Sequence, residues 1–329
     1  MKDWNKEALT LYEQSHSDKA VYEALKDKHK VTYSQVHSFL WRLRKKNQLA
    51  AVEPTKTEPK RVEVKHYDII ENREPNRHKE KWDGNEIIRF GLMGDTQINS
   101  KYTQLTYLHQ FYDLCEQREI ANVYHTGDID EGEQMRVGHQ YECYTQGVDD
   151  HLSEIVKVYP KRNGIKTLFI TGNHDASIYK RCGYDIGAAI ERERVDMKYL
   201  GRDCAVVNLT QNCTLELRHP WDGTAYAISY KSQKMIEAME ADTKPNILAI
   251  GHYHKAEYLF YRNVHCFQTG CFQMQTPFTR GKGISVHMGG WIVTVSVDEN
   301  GYIRYIIPEF VPFYVGIKDD YKNSFELSL

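Results

Sequence analysis

The sequence predicts an α/β layered fold in which a second, partly antiparallel sheet packs on the first, behind a small all-α module. Two observations predict the body: strand-like and helical runs alternate between residues 87 and 171, and strand-like runs dominate after residue 214. A third predicts the module, because apolar residues recur with helical spacing at the front of the chain.

Residues 5–14 place Ala8, Leu9, Leu11 and Tyr12 on one helical face, and residues 18–28 do the same with Ala20, Val21, Ala24 and Leu25, with Ser17 and Asp18 offering a cap. A third helix follows Val31, with Thr32 as its cap and Val36, Phe39, Leu40 and Leu43 facing inward. It ends on Arg42, Arg44, Lys45 and Lys46, the candidate DNA-binding residues. Two helices feeding a third through a tight turn resemble a helix-turn-helix module over residues 1–52, whose last helix would enter a DNA groove. The alternative is a three-helix cap with a solvated basic end. Residues 53–84, with Pro54, Pro59 and Pro75 and many charges, read as a linker with one short strand at 61–70.

The body, residues 85–329, opens with a strand at Ile87–Met93, a helix over 101–118, a strand at Asn122–Thr126, a helical region 139–158 and a strand at Lys166–Thr171. Thr214–Arg218, Asn246–Ile250, His265–Thr269, Trp291–Val297 and Tyr302–Pro308 are the strands expected to build the second sheet.

Composition narrows the class. Over residues 1–82, 18 Lys and Arg face 13 Asp and Glu, a net +5, so the rest carries −7 of an overall −2. A basic arm on an acidic body suits an anionic polymer. No apolar run is long enough for a membrane helix, and the start Met1-Lys2-Asp3-Trp4 lacks an apolar signal core, so the expected location is the cytoplasm, bacterial or phage-infected. The 7 cysteines show no CxxC spacing and read as reduced thiols.

Ligand-capable residues gather where the strand-like runs end. Gly94-Asp95-Thr96-Gln97 closes the first, Gly127-Asp128-Ile129-Asp130-Glu131 the second, and Gly172-Asn173-His174-Asp175 the third. Arg218-His219-Pro220 and Gly251-His252-Tyr253-His254 close two later ones. Carboxyl edges of sheets are where α/β folds build sites, and mixed N and O donors around one shared carboxylate suit two divalent cations acting on a phosphate ester.

In that order, GDxQ, GDxxE, GNHD, a separate His and GHxH resemble the calcineurin-like metallophosphoesterase family over about residues 87 to 300. The resemblance implies a two-sheet αββα sandwich. It further implies that Asp95 and His254 bind a first metal, that Asp128 bridges, and that Asn173, His219 and His252 bind a second. His174 would be catalytic near the leaving group, oriented by Glu131. Gln97 stands where most members carry His, so the first metal should be held less tightly. The expected cofactor is a pair of Mn²⁺ ions, with Zn²⁺, Fe and Ni²⁺ as alternatives. His139, His151 and His265 compete with His219 but read as satisfied structural histidines.

The phosphoprotein-phosphatase signature is missing, since Gly132 follows Glu131 and Asp175-Ala176-Ser177 follows His174. What remains is similar to the SbcD-like nuclease and phosphodiesterase branch, in a layout shared with several phage-encoded proteins. Arg280 and Lys282, with Phe278 and Trp291, are candidate substrate contacts in a loop, or an ordinary hairpin connection. The leading expectation is hydrolysis of DNA phosphodiester bonds; the others are a small cyclic-nucleotide-type diesterase and a nucleic-acid-binding protein with a weakened metal site. DNA is the expected partner, and a homodimer is open.

Overall fold

The computed structural model describes residues 3–45 and 75–323, in two compact units, Met1–Glu71 and Asn72–Leu329. In the first unit α1 (Trp4–Ser15), α2 (Asp18–His29) and α3 (Tyr33–Lys45) follow the apolar spacing closely. Trp4, Ala8, Tyr12, Val21, Leu25, Val31, Val36 and Leu40 form their buried core. Ser17 caps α2 by accepting from the Ala20 N–H. At the start of α3, the Thr32 N–H donates to Gln35 Oε1 at 2.8 Å while the Gln35 N–H donates to Thr32 Oγ1 at 3.4 Å, a reciprocal cap. Lys46 and the short strand expected at 61–70 lie outside the described residues.

The second unit begins with a strand inside the expected linker: β1 (Asn76–Lys79). It continues through β2 (Ile87–Met93), α4 (Leu105–Gln117), β3 (Asn122–His125), α5 (Val148–Val158), β4 (Lys166–Thr171), α6 (Asp175–Cys182), α7 (Ile186–Glu193) and β5 (Met197–Arg202). Then come β6 (Cys204–Asn208), β7 (Thr214–Arg218), α8 (Tyr230–Ala238), β8 (Ile247–Ile250), β9 (Ala256–Tyr261), β10 (Val264–Thr269), α9 (Pro277–Gly281), β11 (Gly289–Val297) and β12 (Ile303–Pro312).

These strands form two mixed six-stranded sheets, ordered β12-β11-β2-β3-β4-β5 and β1-β6-β7-β8-β10-β9. Side-chain alternation sorts the layers. Ile247 and Ala249 of β8 enter the core between the sheets with Phe90, Leu92, Leu215 and Leu217, whereas Leu248 and Ile250 face outward with Ile236 of α8. Met93, Val123 and Phe169 face outward on the first sheet, against Leu108, Phe111, Ile155 and Ile190 of α4, α5 and α7. The layout is therefore the αββα sandwich that the resemblance implied.

Three expectations need correction. Trp291–Val297 and the run from Tyr302 belong to the first sheet, not the second: β3, β4 and β5 extend from one side of β2, and β11 pairs antiparallel with its other edge, covered in turn by β12. The helix over 101–118 starts only at Leu105, because residues 98–103 are drawn into isolated bridges such as Ile98 with Asp130. Of 139–158, only Val148–Val158 is α-helical, Gly147 at φ 89° breaking it from the 3-10 turn at His139–Tyr141. All seven cysteines are unpaired and five are buried. Among the described residues no helix is long and apolar enough to cross a membrane.

Candidate metal centre

Five loops meet at one edge of the sandwich, at the carboxyl ends of β2, β3 and β4 in one sheet and of β7 and β8 in the other. The backbone there is unusual: Asp95 (φ 52°), Gln97 (φ 48°), Asp128 (φ 56°), His252 (φ 76°) and His254 (φ 53°) are all left-handed. Non-glycine residues adopt this conformation at a cost of about 1 kcal/mol or more each, and such strain gathers at functional sites. Backbone hydrogen bonds between loops hold it, as from Asp95 N to Gly127 O (3.0 Å) and Gln97 N to Asp128 O (3.1 Å). The glycines beside the ligands serve close approach more than turning. A Cβ on Gly172 would strike Asp128 Oδ1 and lie 2.6 Å from His219 Nε2, and one on Gly251 would lie 2.8 Å from Thr126 O.

Asp128, Asn173, His219 and His252 converge. His219 Nε2 lies 3.2 Å from Asp128 Oδ2 and 3.0 Å from Asn173 Oδ1, and His252 Nδ1 lies 2.8 Å from the same amide oxygen. The opposite ring nitrogens are committed as donors, His219 Nδ1 to Thr126 O (2.7 Å) and His252 Nε2 to Asp222 O (2.6 Å). In the neutral rings this turns both remaining lone pairs toward oxygens that also accept. Asp128, His219 and His252 each bring a donor atom close enough to the others to hold a metal ion. A positive charge answers this crowding: burial opposes charge on His219, but the Asp128 carboxylate and its hydrogen bond outweigh it and raise the imidazole to about 9, so a proton on Nε2 fills the place that a metal ion could take. Burial likewise opposes the charge on Asp128, yet His219 and His174 hold its carboxyl well below the usual range.

The other half of the site is built from Asp95, Gln97 and His254. Asp95 accepts the His252 N–H at 2.9 Å and lies 3.3 Å from His254 Nε2. Gln97 donates through Nε2 to Asp128 Oδ2 at 3.1 Å, and its buried Oε1 has no hydrogen-bond partner. A buried, unpartnered amide oxygen on a side chain bonded to the Asp128 carboxylate fits a hard cation. Asp128, His219 and His252 therefore fit a divalent ion, and Asp95, Gln97 and His254 lie beside them.

His174 sits beside this cluster, its N–H donating to Asp128 Oδ1 (2.9 Å) and its Nδ1 bonded to the backbone carbonyl of Glu131 at 2.6 Å. The Glu131 carboxylate points elsewhere, to His139 Nε2 (2.8 Å) and Gln273 Nε2 (2.6 Å). Burial disfavours its charge, but His139 and His174 keep it ionised, below the usual range. His139 is thereby satisfied by Glu131. His151 pairs with Asp130 (2.8 Å) and His265 with Tyr258 (2.8 Å).

Two residues that sequence reasoning did not single out brace the loops. Asp175 accepts backbone N–H groups from Asp128, Gly172 and Asp130 at 2.8, 2.8 and 2.9 Å. Asp222 binds Tyr253 Oη at 2.6 Å through its carboxylate, besides holding His252 through its carbonyl. Asp175 stands at the first position of a helix after a ligand loop, a place where an acid binding free N–H groups is legible; Asp222 carries no such signal.

A cavity of about 680 Å³ opens over the cluster, lined by Asp128, Asn173, His174, His252, His254, Phe278 and Lys282 among others. Lys282 thus faces the site, while Arg280 on α9 is exposed outside that lining. Trp291 corrects the expectation of a base contact: it is 7% exposed, packed on Phe267 between the sheets, with Nε1 donating to Gln268 O. In the first unit, Arg42 is exposed, Arg44 pairs with Asp18 and lies over Tyr12 (5.2 Å), and Lys45 lies over Trp41 (5.1 Å).

No family model and no curated protein matches the chain. Solved structures follow part of its path. An archaeal phosphodiesterase does so at 12% identity over 68% of this chain and 100% of that one (TM-score 0.38), and zinc-complexed Vps29 from Entamoeba histolytica at 13% over 69% and 100% (TM-score 0.34). A 5'-nucleotidase precursor from Thermus thermophilus does so at 10% over 69% and 54% (TM-score 0.35). Likeness at this level is to the course of the chain alone, and the chemistry of the site stands on its own geometry.

Proposed function

We propose that this chain is a two-metal phosphodiesterase, and that DNA is its substrate. The observation that carries the reading is the set of facing lone pairs at Asp128, Asn173, His219 and His252, adjoining Asp95, His254 and the unpartnered Gln97 oxygen. Divalent ions bound there, with Mn²⁺ favoured, would neutralise phosphoryl oxygens and acidify a water for in-line attack. Asp128 keeps the two halves at a fixed spacing. His174, tied through Nδ1 to Glu131 O, points its second ring nitrogen elsewhere, and when the ring carries both protons that nitrogen would give one to the departing oxygen. Lys282 and Arg136 place positive charge on the cavity wall, where a phosphate backbone would lie.

The basic end of α3 supports a polynucleotide over a small diester, since a tethered DNA-binding module raises local substrate concentration. The purified full chain, loaded with Mn²⁺, is assayed on labelled single- and double-stranded DNA and on bis-p-nitrophenyl phosphate, with bound metal measured in parallel. Cleavage of both substrates is expected. Turnover of the small diester alone would sink the DNA reading, and metal-free, inert protein would sink the whole.

A further inference from the structure

We infer that Trp221 is a stacking platform for a nucleobase attached to the scissile phosphate, in a subsite beside the metal centre. The inference rests on the phosphodiesterase reading above and adds to it the chemistry of the group next to the reacting phosphate.

Trp221 lies two residues beyond His219 and immediately before Asp222, so the chain on both sides is anchored in the centre. Its indole Nε1 donates to Asp203 Oδ1 at 2.8 Å, which fixes the ring's orientation. Lys180 of α6 holds its ammonium 3.9 Å from the ring centroid. Despite these restraints the residue is 44% exposed. A large aromatic ring pinned in place and left open to solvent stabilises no core. It is preorganised for a ligand, because ordering it on binding costs little.

The ring lines two adjoining cavities. One is the 680 Å³ space over the metal ligands; the other, about 480 Å³, continues past Asn173 and Trp221 to Lys180 and Arg181. A substrate whose phosphate sits at Asn173 therefore extends across the indole toward Lys180, which lies over the ring, and Arg181, which is paired with Glu133. Base on aromatic ring and next phosphate on cation is how single-stranded nucleic acid is held without sequence preference. A dialkyl phosphate would leave this second cavity unused.

The test uses the full chain with Trp221→Ala and Trp221→Phe, a short oligothymidylate, the same oligonucleotide with abasic sugars throughout, and bis-p-nitrophenyl phosphate as an independent report on the diesterase. Trp221→Ala should raise KM for the oligothymidylate roughly 10-fold, Trp221→Phe should recover most of that loss, and both should match the parent protein on the abasic chain. With Ca²⁺ in place of Mn²⁺, oligothymidylate should quench a tryptophan signal that is missing in Trp221→Phe. Equal KM values for Trp221→Ala and the parent on oligothymidylate would overturn the inference while leaving the diesterase reading intact. So would an equal loss on the abasic chain, which marks a structural role. No turnover of any diester by the parent protein would instead strike the reading beneath it.

Discussion

The carboxylate of Asp175 accepts the backbone N–H of Asp128 at 2.8 Å, so the proposed shared ligand is positioned by a residue outside the proposed ligand set. The same oxygen takes the Gly172 N–H, and the other takes the Asp130 N–H. One side chain thus ties the β3 loop to the β4 loop.

Asp175→Asn offers a single oxygen to these three donors and turns an NH₂ group toward one of them. Metal affinity should fall about 10- to 100-fold, the usual consequence of removing a support behind a ligand. A titration with Mn²⁺ that returned the parent affinity would show that the clamp is dispensable.

His174→Ala should leave metal content unchanged and slow turnover about 10²-fold. Glu131→Gln separates the two ways of steering this histidine. Because His174 bonds the carbonyl of Glu131, not its carboxylate, the amide variant should lose only about 10-fold or less in kcat. Equal losses in the two variants would mean that the carboxylate acts on His174 through another route.

The gathering of the candidate ligands was legible because they follow apolar strand runs: Ile87–Met93 and Lys166–Thr171 end where the sequence placed them, and their loops carry Asp95 and Asn173. Less legible was the return of β11 to the first sheet, since an apolar strand with both faces buried does not say which neighbour it pairs with. Trp291 and Trp221 were indistinguishable by residue type; the place of β11 against the second sheet buries Trp291, whereas Trp221, in the loop after β7, stays exposed. The backbone contact of His174 with Glu131 likewise has no side-chain signature to read.

Gln97 is the weakest of the candidate ligand positions, and its left-handed backbone is one that histidine tolerates better than most residues. Gln97→His should retain roughly 10-fold more Zn²⁺ at the first position, imidazole being the better donor for a borderline-soft ion. Metal analysis after dialysis checks this. Unchanged retention would mean that residue 97 acts on Asp128 through its hydrogen bond alone.

Arg194 binds the carbonyls of Val156, Tyr159 and Pro160 and both oxygens of Asp196 while only 4% exposed. Arg194→Met should destabilise the fold by about 3 kcal/mol, since the carbonyls and Asp196 lose a buried partner. Burial alone would raise the Asp196 carboxyl, but its bonds to Arg194 prevail and lower it. A folded-state pKa below the unfolded one gives stability that is complete above the unfolded value and lost as pH falls through the folded one. The urea midpoints of the parent and Asp196→Asn should therefore differ at pH 7 and draw together below about pH 4. A constant gap at both pH values would count against the pairing.

In the three-helix unit the basic residues of α3 are unequal. Arg44 is held by Asp18, which also binds His37 at 2.6 Å, whereas exposed Arg42, among the described residues, bonds Ser38 O within its own helix. If this end meets a phosphate backbone, Arg42→Ala should weaken DNA retention at every sequence and reduce the slope of log K against log salt by about one. Arg44→Ala should instead lower the thermal midpoint of the unit, because Asp18 and the Tyr12 ring lose their cation. Retention measured across a salt series separates the two, and an Arg42 variant with the parent's slope would remove α3 from the DNA-contacting surface.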